Sequence, residues 1–301
     1  MKKIIVLGST NTDMVVKSAR IPAPGETVLG GDFLMNPGGK GANQAVAAAR
    51  LGENVTFIAK VGNDLFGREA KNNFSSEGIQ TDFLFVDEKS PSGVALIMVD
   101  AKGENCISVA SGANATLSPA DIVCAKHAIE TADALLCQLE TPIPTILEAA
   151  RWAAEKNVPV ILNPAPACTL PEELYPHIDL ITPNECEAEL LTGIAITDLA
   201  SAESAARVLR QRGVSKVIIT LGSKGAYVFT GEQGELVPAF PVTAVDTTAA
   251  GDVFNGALVV ALTEGKSLSE ATRFAARAAS ISVTRMGAQS SAPRREELCE
   301  H

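Results

Sequence analysis

Residues 244–256, AVDTTAAGDVFNG, place small residues and one acidic side chain just before a predicted helix. Ala249, Ala250 and Gly251 carry almost no side chain, so backbone N–H groups lie bare at the positive end of the helix dipole. Asp252 falls in the first turn, where that dipole favours its ionised form. N–H donors that hold an anion beside a carboxylate base suit the transfer of a phosphoryl group to a hydroxyl. The alternative is ordinary helix capping, in which Asp252 serves stability alone.

A second glycine-rich segment, PGGKGANQAVAAARLG, occupies residues 37–52. Its glycines permit unusual backbone angles and the close approach of a ligand, and a helix of small residues follows them. Lys40 and Asn43 are the polar groups at the start of that helix. The segment is not a Walker A motif, because Gly39-Lys40 is followed by Gly41 rather than by Ser or Thr. A ligand site is favoured over the alternative, a loop that only permits tight helix packing.

Polar side chains follow two predicted strands. Asn11 and Asp13 come just after the aliphatic run 3–8, and Glu140 follows the run 134–138. Ligands of open α/β sheets bind outside the carboxyl ends of the strands. An amide and a carboxylate two residues apart on extended chain point the same way and suit sugar hydroxyls. An Asx turn at Asn11 explains the first pair equally well.

Two further turns carry polar groups. Asn184 is placed to cap a helix whose first turns hold three glutamates, among them Glu187. Compensation of the helix dipole explains most of this trio, and a hydrated divalent cation held by one of them is the alternative. The second turn is formed by Thr220, Gly222, Ser223 and Gly225. It is either a compact polar turn suited to nucleotide phosphates or ribose, or a plain tight hairpin.

The elements that must position these residues alternate between aliphatic runs and helical patterns over 301 residues. With 46% hydrophobic and only 4% aromatic residues, the chain is typical of helices packed on a parallel sheet. After the first strand, the predicted strands are 55–61, 134–138, 158–162, 179–182 and 216–221. The predicted helices are 42–52, 64–77, 119–130, 143–156, 184–193, 201–212, 251–264 and 267–284.

Two segments interrupt this alternation. Residues 14–36, rich in Pro and Gly, include predicted short strands at 27–29 and 33–35, and residues 92–110 form another extended pair. Together they indicate a small sheet inserted into the α/β domain. Because exposed sheet edges are usually covered, this sheet is expected to act as a lid, a dimer contact, or both.

Charge and composition exclude several classes of function. A net charge of -10 argues against nucleic acid or an anionic membrane as partner. An anionic ligand must therefore be bound locally, by helix termini, a few cations or a metal ion. The six cysteines include no CxxC pair, which indicates free thiols in a reducing compartment. The three histidines are far apart and no HExxH motif occurs, which argues against transition-metal catalysis. No GxGxxG follows the first strand, which argues against a dinucleotide-binding fold. Lacking a signal peptide or a membrane span, the chain is expected to be cytoplasmic.

The segments GGKGAN and DTTAAGD, with NPAP, TPNE and ITLGSKG between them, resemble the ribokinase branch of the PfkB carbohydrate-kinase family from Val6 to about Pro293. The resemblance implies an α/β fold, a ribokinase-like three-layer α/β/α domain spanning residues 1–301, with a mostly parallel central sheet and a small β-sheet lid at about 14–36 and 92–110. It further implies an ATP-dependent sugar kinase that forms a homodimer through the lid.

The resemblance also assigns roles by position. It makes Asp252 the base and Ala249, Ala250 and Gly251 the anion hole. The sugar would be bound by Asn11, Asp13, Gly39, Lys40, Asn43, Glu140 and Asp252. The nucleotide would be bound by Asn184, Thr220, Gly222, Ser223, Gly225, Gly251 and Ala276. Glu187 would support Mg²⁺ through water. A K⁺ site beside the anion hole, formed partly by backbone carbonyls, would comprise Asp246, Thr248, Ser282, Arg285, Gly287 and Ser291.

Three positions depart from the family pattern: Thr248 replaces a frequent Ile, Val253 a frequent Thr, and Ala276 a His or Asn near the adenine. None touches the expected chemistry, which is transfer of the ATP γ-phosphoryl group to the 5-hydroxyl of D-ribose. The alternatives are another acceptor (2-deoxyribose, fructose or a nucleoside) or a non-catalytic sugar-binding regulator; a nicotinamide dehydrogenase is disfavoured. All of these kinase hypotheses require Lys40 and Asn43 to face Asp252 across one cleft.

Overall fold

The structure, a computed structural model, describes residues 1–231 and 233–299. Thirteen strands in these residues form a sheet of nine strands and a sheet of four. In chain order they are β1 (Lys3–Leu7), β2 (Asn11–Lys17), β3 (Phe33–Gly38), β4 (Asn54–Gly62), β5 (Leu84–Asp87), β6 (Gly93–Val99), β7 (Asn105–Ala110), β8 (Ala134–Cys137), β9 (Val160–Leu162), β10 (Leu180–Ile181), β11 (Lys216–Thr220), β12 (Ala226–Phe229) and β13 (Gly234–Val237).

The large sheet has the strand order β13-β12-β11-β10-β9-β8-β1-β4-β5. Its strands run parallel from β11 to β5, whereas β12 pairs antiparallel with both β11 and β13, so β12 alone runs in the opposite direction. The central strand β1 is buried from Ile4 to Leu7, as expected for a strand covered on both faces. The small sheet, in the order β3-β2-β6-β7, is built from the segments that interrupt the α/β alternation.

Helices cover both faces of the large sheet. They are α1 (Lys40–Arg50), α2 (Leu65–Ser76), α3 (Lys126–Glu130), α4 (Ile143–Glu155), α5 (Glu185–Thr192), α6 (Leu199–Gln211), α7 (Ala250–Thr263), α8 (Leu268–Ser282) and α9 (Arg295–Cys299). One apolar core joins the sheet to α1, α2, α7 and α8, and a second core on the opposite face joins it to α3, α4, α5 and α6. This arrangement confirms the predicted three-layer α/β/α fold with a mostly parallel sheet and a small second sheet.

The close packing of α1 against α7 depends on small residues. A Cβ atom added to Gly256 of α7 would lie 2.7 Å from both the Cβ of Ala47 and the carbonyl oxygen of Gln44. The two helices therefore approach more closely than a larger residue would allow. Because both helices begin at the same edge of the sheet, this packing places the start of α1 beside the start of α7.

Several predicted boundaries differ from the observed ones. Residues 27–29 form no strand, and the predicted helix 119–130 is a 3₁₀ helix, Asp121–Ala125, that continues into α3. Strand β9 begins only at Val160, since Pro159 before it has no N–H to donate to a neighbouring strand. The strands β2, β5, β12 and β13 and the short helix α9 were not predicted. No helix in the described part of the chain has the length and apolar character to cross a bilayer.

Candidate active site

Asp252 lies in the first turn of α7 with 6% of its surface exposed. Its two carboxylate oxygens accept hydrogen bonds from two amides of α1. The Nδ2 of Asn43 donates to Oδ2 over 2.9 Å, and the Nε2 of Gln44 donates to Oδ1 over 2.9 Å. The two glycine-bearing motifs, 209 residues apart between Asn43 and Asp252, therefore meet in one cleft.

The environment of Asp252 acts on its pKa in two directions. Burial raises the pKa, because removal from water disfavours the carboxylate. The charge of Lys40 and the amide donors of Asn43 and Gln44 lower it. The net pKa is above the ordinary aspartate value, which is the direction expected of a carboxylate that must accept a proton.

Lys40 is the first residue of α1. Among the main influences on the Asp252 pKa in the described structure, it is the only positively charged group. Burial alone would lower the pKa of this ammonium group. Four carboxylates around it, Asp252, Glu140, Glu187 and Asp13, raise the pKa above the ordinary lysine value. Lys40 therefore stays charged and offsets part of a strongly acidic cleft.

Asp13 belongs to strand β2 rather than to the end of the first strand, so Asn11 and Asp13 enter the site from the small sheet. Burial, with the charges of Glu140 and Asp252, raises the pKa of Asp13 to about 6. The carboxylate lies against Gly38 of the neighbouring strand β3, where an added Cβ would come within 2.2 Å of its Oδ2. The glycine thus makes room for the acidic group.

Glu140 is held by two segments, the chain after β1 and the start of α1. Its Oε2 accepts a hydrogen bond of 2.5 Å from the Ser9 hydroxyl and one of 3.0 Å from the backbone N–H of Lys40. The carboxylate is therefore fixed beside the start of α1. Ser9 was not singled out from the sequence, although it directly precedes the polar segment that holds Asn11.

Asn11 is positioned by Asn114, a residue that follows the small sheet. The Nδ2 of Asn114 donates to the Asn11 Oδ1 over 2.9 Å and to the Thr10 carbonyl over 3.0 Å, and its Oδ1 accepts from the Thr10 N–H over 2.9 Å. Gly39 packs on the same turn with a φ of +89°, and a Cβ there would lie 2.7 Å from the Asn11 nitrogen. Only glycine fits this position without strain.

A cleft of about 610 Å³ separates one face of the small sheet from the body of the protein. Asp13 lines it together with apolar side chains of the sheet, among them Val15, Ile97 and Ile107. Asn43 does not line this cleft, and its buried Oδ1 has no hydrogen-bond partner within the described residues. An acceptor left unpaired in this way suits a hydroxyl donor, since a buried polar group without a partner is costly.

A second cavity of about 460 Å³ lies on the other side of the α7 N-terminus. It is lined by the following residues that were predicted from the sequence: Asn184, Thr220, Gly222, Gly225, Ala250, Gly251 and Ala276. Sequence reasoning missed the apolar side chains Phe240, Val242, Ala279 and Val283, which also line it. Ser223, by contrast, is exposed on its 3₁₀ turn and is not part of the lining.

The N-terminus of α7 lies between the two cavities. Ala249 takes a left-handed conformation with φ 58° at the cap, which turns the chain sharply into the helix. Ala250 donates its N–H to the Thr247 carbonyl over 3.3 Å, and Val253 donates to the Ala249 carbonyl. Gly251 is exposed, and a Cβ added to it would meet open space. An anion can therefore reach the backbone here without obstruction.

Asn184 and Glu187 form a capping box at the start of α5. The Asn184 Oδ1 accepts from the Glu187 N–H, and the Glu187 Oε2 accepts from the Asn184 N–H, each over 2.8 Å. Burial raises the pKa of Glu187, and its influences include Lys40 and Asp252, so it borders the same charged centre. The helix-capping interpretation thus holds for this pair. The Asn184 Nδ2 and the second Glu187 oxygen remain for a ligand.

The residues expected at a K⁺ site fall into two groups. Asp246 joins two loops: its Oδ1 accepts from the Thr248 N–H and its Oδ2 from the Gly287 N–H, each over 2.9 Å. Three of the other side chains are engaged elsewhere: the hydroxyls of Ser282 and Ser291 donate to carbonyls of their own segments, and Arg285 pairs with Glu297. The Arg285 guanidinium cannot ligate a cation, so only its backbone carbonyl is suitable, whereas the serine oxygens keep lone pairs.

Three further residues of the site were not predicted as such: Gln44, Asn114 and Phe240. For Gln44 a signal exists, because a buried amide beside Asn43 at the start of a helix must find a polar partner. For Asn114, on the short 3₁₀ helix Gly112–Thr116, and for Phe240, in irregular chain after β13, no local periodic signal exists. No group of three or more acidic, His or Cys side chains suited to a metal occurs in the described structure.

Residues 1–295 match the family model of the pfkB family carbohydrate kinases. A ribokinase of Haemophilus influenzae is 48% identical over 299 residues, covering 99% of this chain and 98% of that protein. A deoxyribokinase of Salmonella typhi is 38% identical over 299 residues with the same coverage, 99% and 98%. The solved structure of an Arabidopsis thaliana ribokinase complexed with ribose and ATP is similar with a TM-score of 0.93 at 34% identity, covering 99% of this chain and 97% of that one. The chain belongs to the pfkB family of carbohydrate kinases.

Proposed function

We propose that this chain transfers the γ-phosphoryl group of ATP to the primary 5-hydroxyl of D-ribose, giving ribose 5-phosphate. The observation that carries the proposal is the position of Asp252. This buried carboxylate lies in the first turn of α7, where it accepts hydrogen bonds from Asn43 and Gln44 of α1, and Ala250 and Gly251 of the same turn line a cavity of about 460 Å³. The chain is 48% identical to the Haemophilus influenzae ribokinase over 299 residues, and this similarity supports ribose as the acceptor.

Asp252 is the proposed base. Its carboxylate accepts the proton of the ribose 5-hydroxyl as the oxygen attacks the γ-phosphorus and the bond to ADP breaks. The N–H groups of Ala249 and Gly251 would meet the charge that develops on the transferred group, joined by that of Ala250 once it leaves the Thr247 carbonyl, and the dipole of α7 would add to their effect. Lys40 balances the acidic side chains that surround the reacting atoms.

Ribose would be held by amides and carboxylates that converge from three elements. Asn11 and Asp13 come from the small sheet, Asn43 from α1, and Glu140 from the chain after β8. Acceptors outnumber donors in this set, which suits a ligand with several hydroxyl protons to give. The small sheet is the proposed lid, because its closure over the cleft would exclude water from the phosphoryl group.

ATP would occupy the cavity lined by Phe240 and Ala276, with its phosphates directed to the start of α7. The donor set near Glu187 fits a hydrated Mg²⁺, since Glu187 is buried beside the phosphate end and keeps one carboxylate oxygen free. Mg²⁺, when bound, would neutralise charge on the β- and γ-phosphates. Backbone carbonyls around the loops that Asp246 joins fit a K⁺ ion, which would steady the anion hole.

The small sheet also supports a homodimer. Its face opposite the cleft exposes apolar side chains, among them Phe33 and Leu96, that nothing in the described chain covers. Such a patch marks a protein contact. The chain is proposed to work in the cytoplasm, where its free thiols, including Cys106 and Cys124, would stay reduced.

The test is a panel of acceptors with ATP: D-ribose, 2-deoxyribose, fructose and adenosine, with ADP release and the mass of the product as readouts. Ribose should give the highest kcat/KM, with activity lost without Mg²⁺ and lowered when KCl is replaced by tetramethylammonium chloride. Higher kcat/KM for 2-deoxyribose would reassign the substrate. No phosphorylation of any acceptor would favour a sugar-binding regulator.

The same assay tests the base. Asp252→Asn should lower kcat by about 10³-fold, in the range expected for loss of a general base, and leave the Kd for ribose within about threefold. The exposed Asp82→Asn serves as the control and should behave as the unmodified protein. If the Asp252 variant kept most of its kcat, the carboxylate would not be the base.

A further inference from the structure

A cluster of buried amides lies behind Asp252, on the side of the large sheet. Gln44 of α1 and Gln138 after β8 are fully buried, and Asn163 after β9 is 7% exposed. Besides its bond to Asp252, the Gln44 Nε2 donates to the Asn163 Oδ1 over 3.0 Å. The Gln44 Oε1 accepts from the Gln138 Nε2 over 2.7 Å. All hydrogen-bonding groups of the Gln44 side chain are therefore in use.

These contacts permit only one orientation of the Gln44 amide. If the amide turned over, its oxygen would face the Asp252 Oδ1 and the Asn163 Oδ1, and its nitrogen would face the Gln138 nitrogen. The pairs with Asp252 and Asn163 each join two acceptors, and these decide the orientation; Gln138 follows Gln44 rather than fixing it, since the Gln138 Oε1 has no partner among the described residues. Asn163 is itself oriented, since its Nδ2 donates to the Thr182 carbonyl over 3.2 Å.

Asn43, the other amide on Asp252, is not restrained in this way. Its Oδ1 has no partner among the described residues, so a turn of this amide breaks only the bond to the Asp252 Oδ2. Asn43 can therefore respond to a ligand, whereas Gln44 presents a fixed N–H to Asp252 at all times. If Asp252 were protonated on Oδ1, its O–H would face the Gln44 N–H, and two donors in contact are unfavourable.

We propose that Gln44 is a positioning residue that keeps Asp252 ionised and in one rotamer, ready to accept a hydroxyl proton, and that Asn163 fixes the Gln44 amide for this task. The proposal rests on the proposed role of Asp252 as the base. Gln44 is fully buried and its side chain bonds only to protein groups, so it acts on the reaction only through Asp252.

Other charges also act on Asp252. Lys40 of α1 lowers its pKa, whereas Glu140 after β8 raises it, and Asp13 of β2 and Glu187 of α5 interact with it as like charges. None of these four side chains bonds to the Gln44 side chain in the described structure. A substitution of Gln44 that keeps its size therefore changes the hydrogen bond and leaves the charges in place.

The test is Gln44→Met, which keeps the length of the side chain and removes its N–H donors. Because the lost donor stabilises the carboxylate, the pKa of Asp252 should rise, and the acidic limb of the pH profile of kcat should move to higher pH by about one unit. At a pH on the acidic limb of both proteins kcat should fall about tenfold, and the Kd for ribose should stay within about threefold. An acidic limb that does not move would overturn the proposal, even with a lowered kcat.

Gln138→Met gives a second variant that leaves Gln44 itself intact. It removes the donor to the Gln44 Oε1 and so loosens the amide, while Asp252 and Asn163 still hold the Gln44 Nε2, so the acidic limb should shift in the same direction by a smaller amount. Thr272→Val removes a buried hydroxyl bonded within α8, away from Asp252, and should leave the limb unchanged. Equal shifts in the Thr272 variant would mean a general loss of stability and would contradict the positioning role.

A readout independent of turnover separates this proposal from the proposed function. In protein labelled with ¹³C at aspartate carboxyl carbons, the signal missing in Asp252→Asn identifies Asp252, and its titration gives the pKa directly. A higher pKa in Gln44→Met supports the positioning role even if no acceptor is phosphorylated. If the unmodified protein phosphorylates ribose and this pKa is unchanged by the substitution, the positioning role fails while the function stands.

Discussion

Asp13 is a carboxyl group whose charge the folded protein disfavours. Burial and the neighbouring carboxylates Glu140 and Asp252 raise its pKa to about 6 from the ordinary 3.8. Below pH 3.8 the group is protonated in both the folded and the unfolded chain and has no effect on stability. As the pH rises the unfolded chain ionises first, so the free energy of unfolding decreases until about pH 6 and stays lower above it.

Replacement of Asp13 should therefore stabilise the protein while weakening sugar binding. For Asp13→Asn we expect the melting temperature to rise at pH 8 and to be unchanged at pH 4, with an upper bound of roughly 3 kcal/mol on the gain. The Kd for ribose should increase at least tenfold at pH 8, because the amide accepts fewer hydroxyl protons than the carboxylate. Thermal unfolding and calorimetric titration measure the two effects.

The control for Asp13 is Asp32→Asn, an exposed residue beside the small sheet. It should change neither the melting temperature nor ribose binding at either pH. In the unmodified protein, ribose affinity should decrease as the pH falls through 6, since Asp13 then becomes protonated. A ribose affinity independent of pH between 5 and 8 would contradict a direct role of the Asp13 charge.

At the scale of elements, the contact between α1 and α7 assembles the reacting groups. Gly256→Ala would place a methyl group 2.7 Å from Ala47 and from the Gln44 carbonyl, so the helices must separate. Overpacking should cost about 1–3 kcal/mol, reduced by the better helix propensity of alanine. Because Gln44 and Asn43 move away from Asp252, kcat should fall more than ribose affinity.

Thermal unfolding and steady-state kinetics check this prediction. Ser204→Ala, on the exposed side of α6, introduces the same residue far from the site and should stay within about 0.5 kcal/mol of the unmodified protein. A Gly256 variant with unchanged kcat would show that the site tolerates a wider spacing between α1 and α7.

The sequence predicts the elements that carry a local pattern. Aliphatic runs in the strands, small residues in α1 and α7, and the bare start of α7 all follow from residue types and spacing. The convergence of Asn43 and Asp252 does not follow from either segment alone, since it depends on the order of strands in the sheet. Here the pairing of two distant motifs and the family resemblance supplied what periodicity could not.

The site residues that sequence reasoning misplaced or missed are set by contacts between distant segments. Asn11 and Asp13 open a strand of the small sheet because Asn114 bonds to the turn at Thr10 more than 100 residues earlier in the chain. Residues 238–242 look apolar enough to extend a strand, yet only β13 pairs, and Phe240 lines a cavity instead. Such irregular segments have no periodic signal.

At the scale of the whole molecule, the small sheet presents two different faces. Paired residues of neighbouring strands share a face, so Asp13, Val15 and Ile97 line the cleft. The opposite face, defined here as the outer face, is formed by Met14, Val16, Phe33, Met35, Leu96 and Met98. Phe33 is 57% exposed and Leu96 is 55% exposed, although both are large apolar side chains.

The outer face is the proposed dimer contact, and Leu96→Lys tests it. At micromolar concentration the unmodified protein should show twice the 31.3 kDa mass of the chain in size exclusion with light scattering. The variant should show the mass of one chain, because a lysine in the middle of an apolar contact must be buried without a partner. Val123→Lys, at an equally exposed position on a 3₁₀ helix elsewhere, is the matched control and should remain dimeric.

Dimerisation and catalysis are linked in this arrangement, because the strands that carry the outer face also carry Asp13. A partner packed on that face would restrain the small sheet from behind while its inner face meets ribose. The Leu96 variant should therefore raise the KM for ribose while keeping the KM for ATP, whose cavity lies on the other side of α7. A monomeric variant with unchanged ribose KM would separate assembly from sugar binding, and an unmodified protein that is monomeric would remove the outer face as a contact.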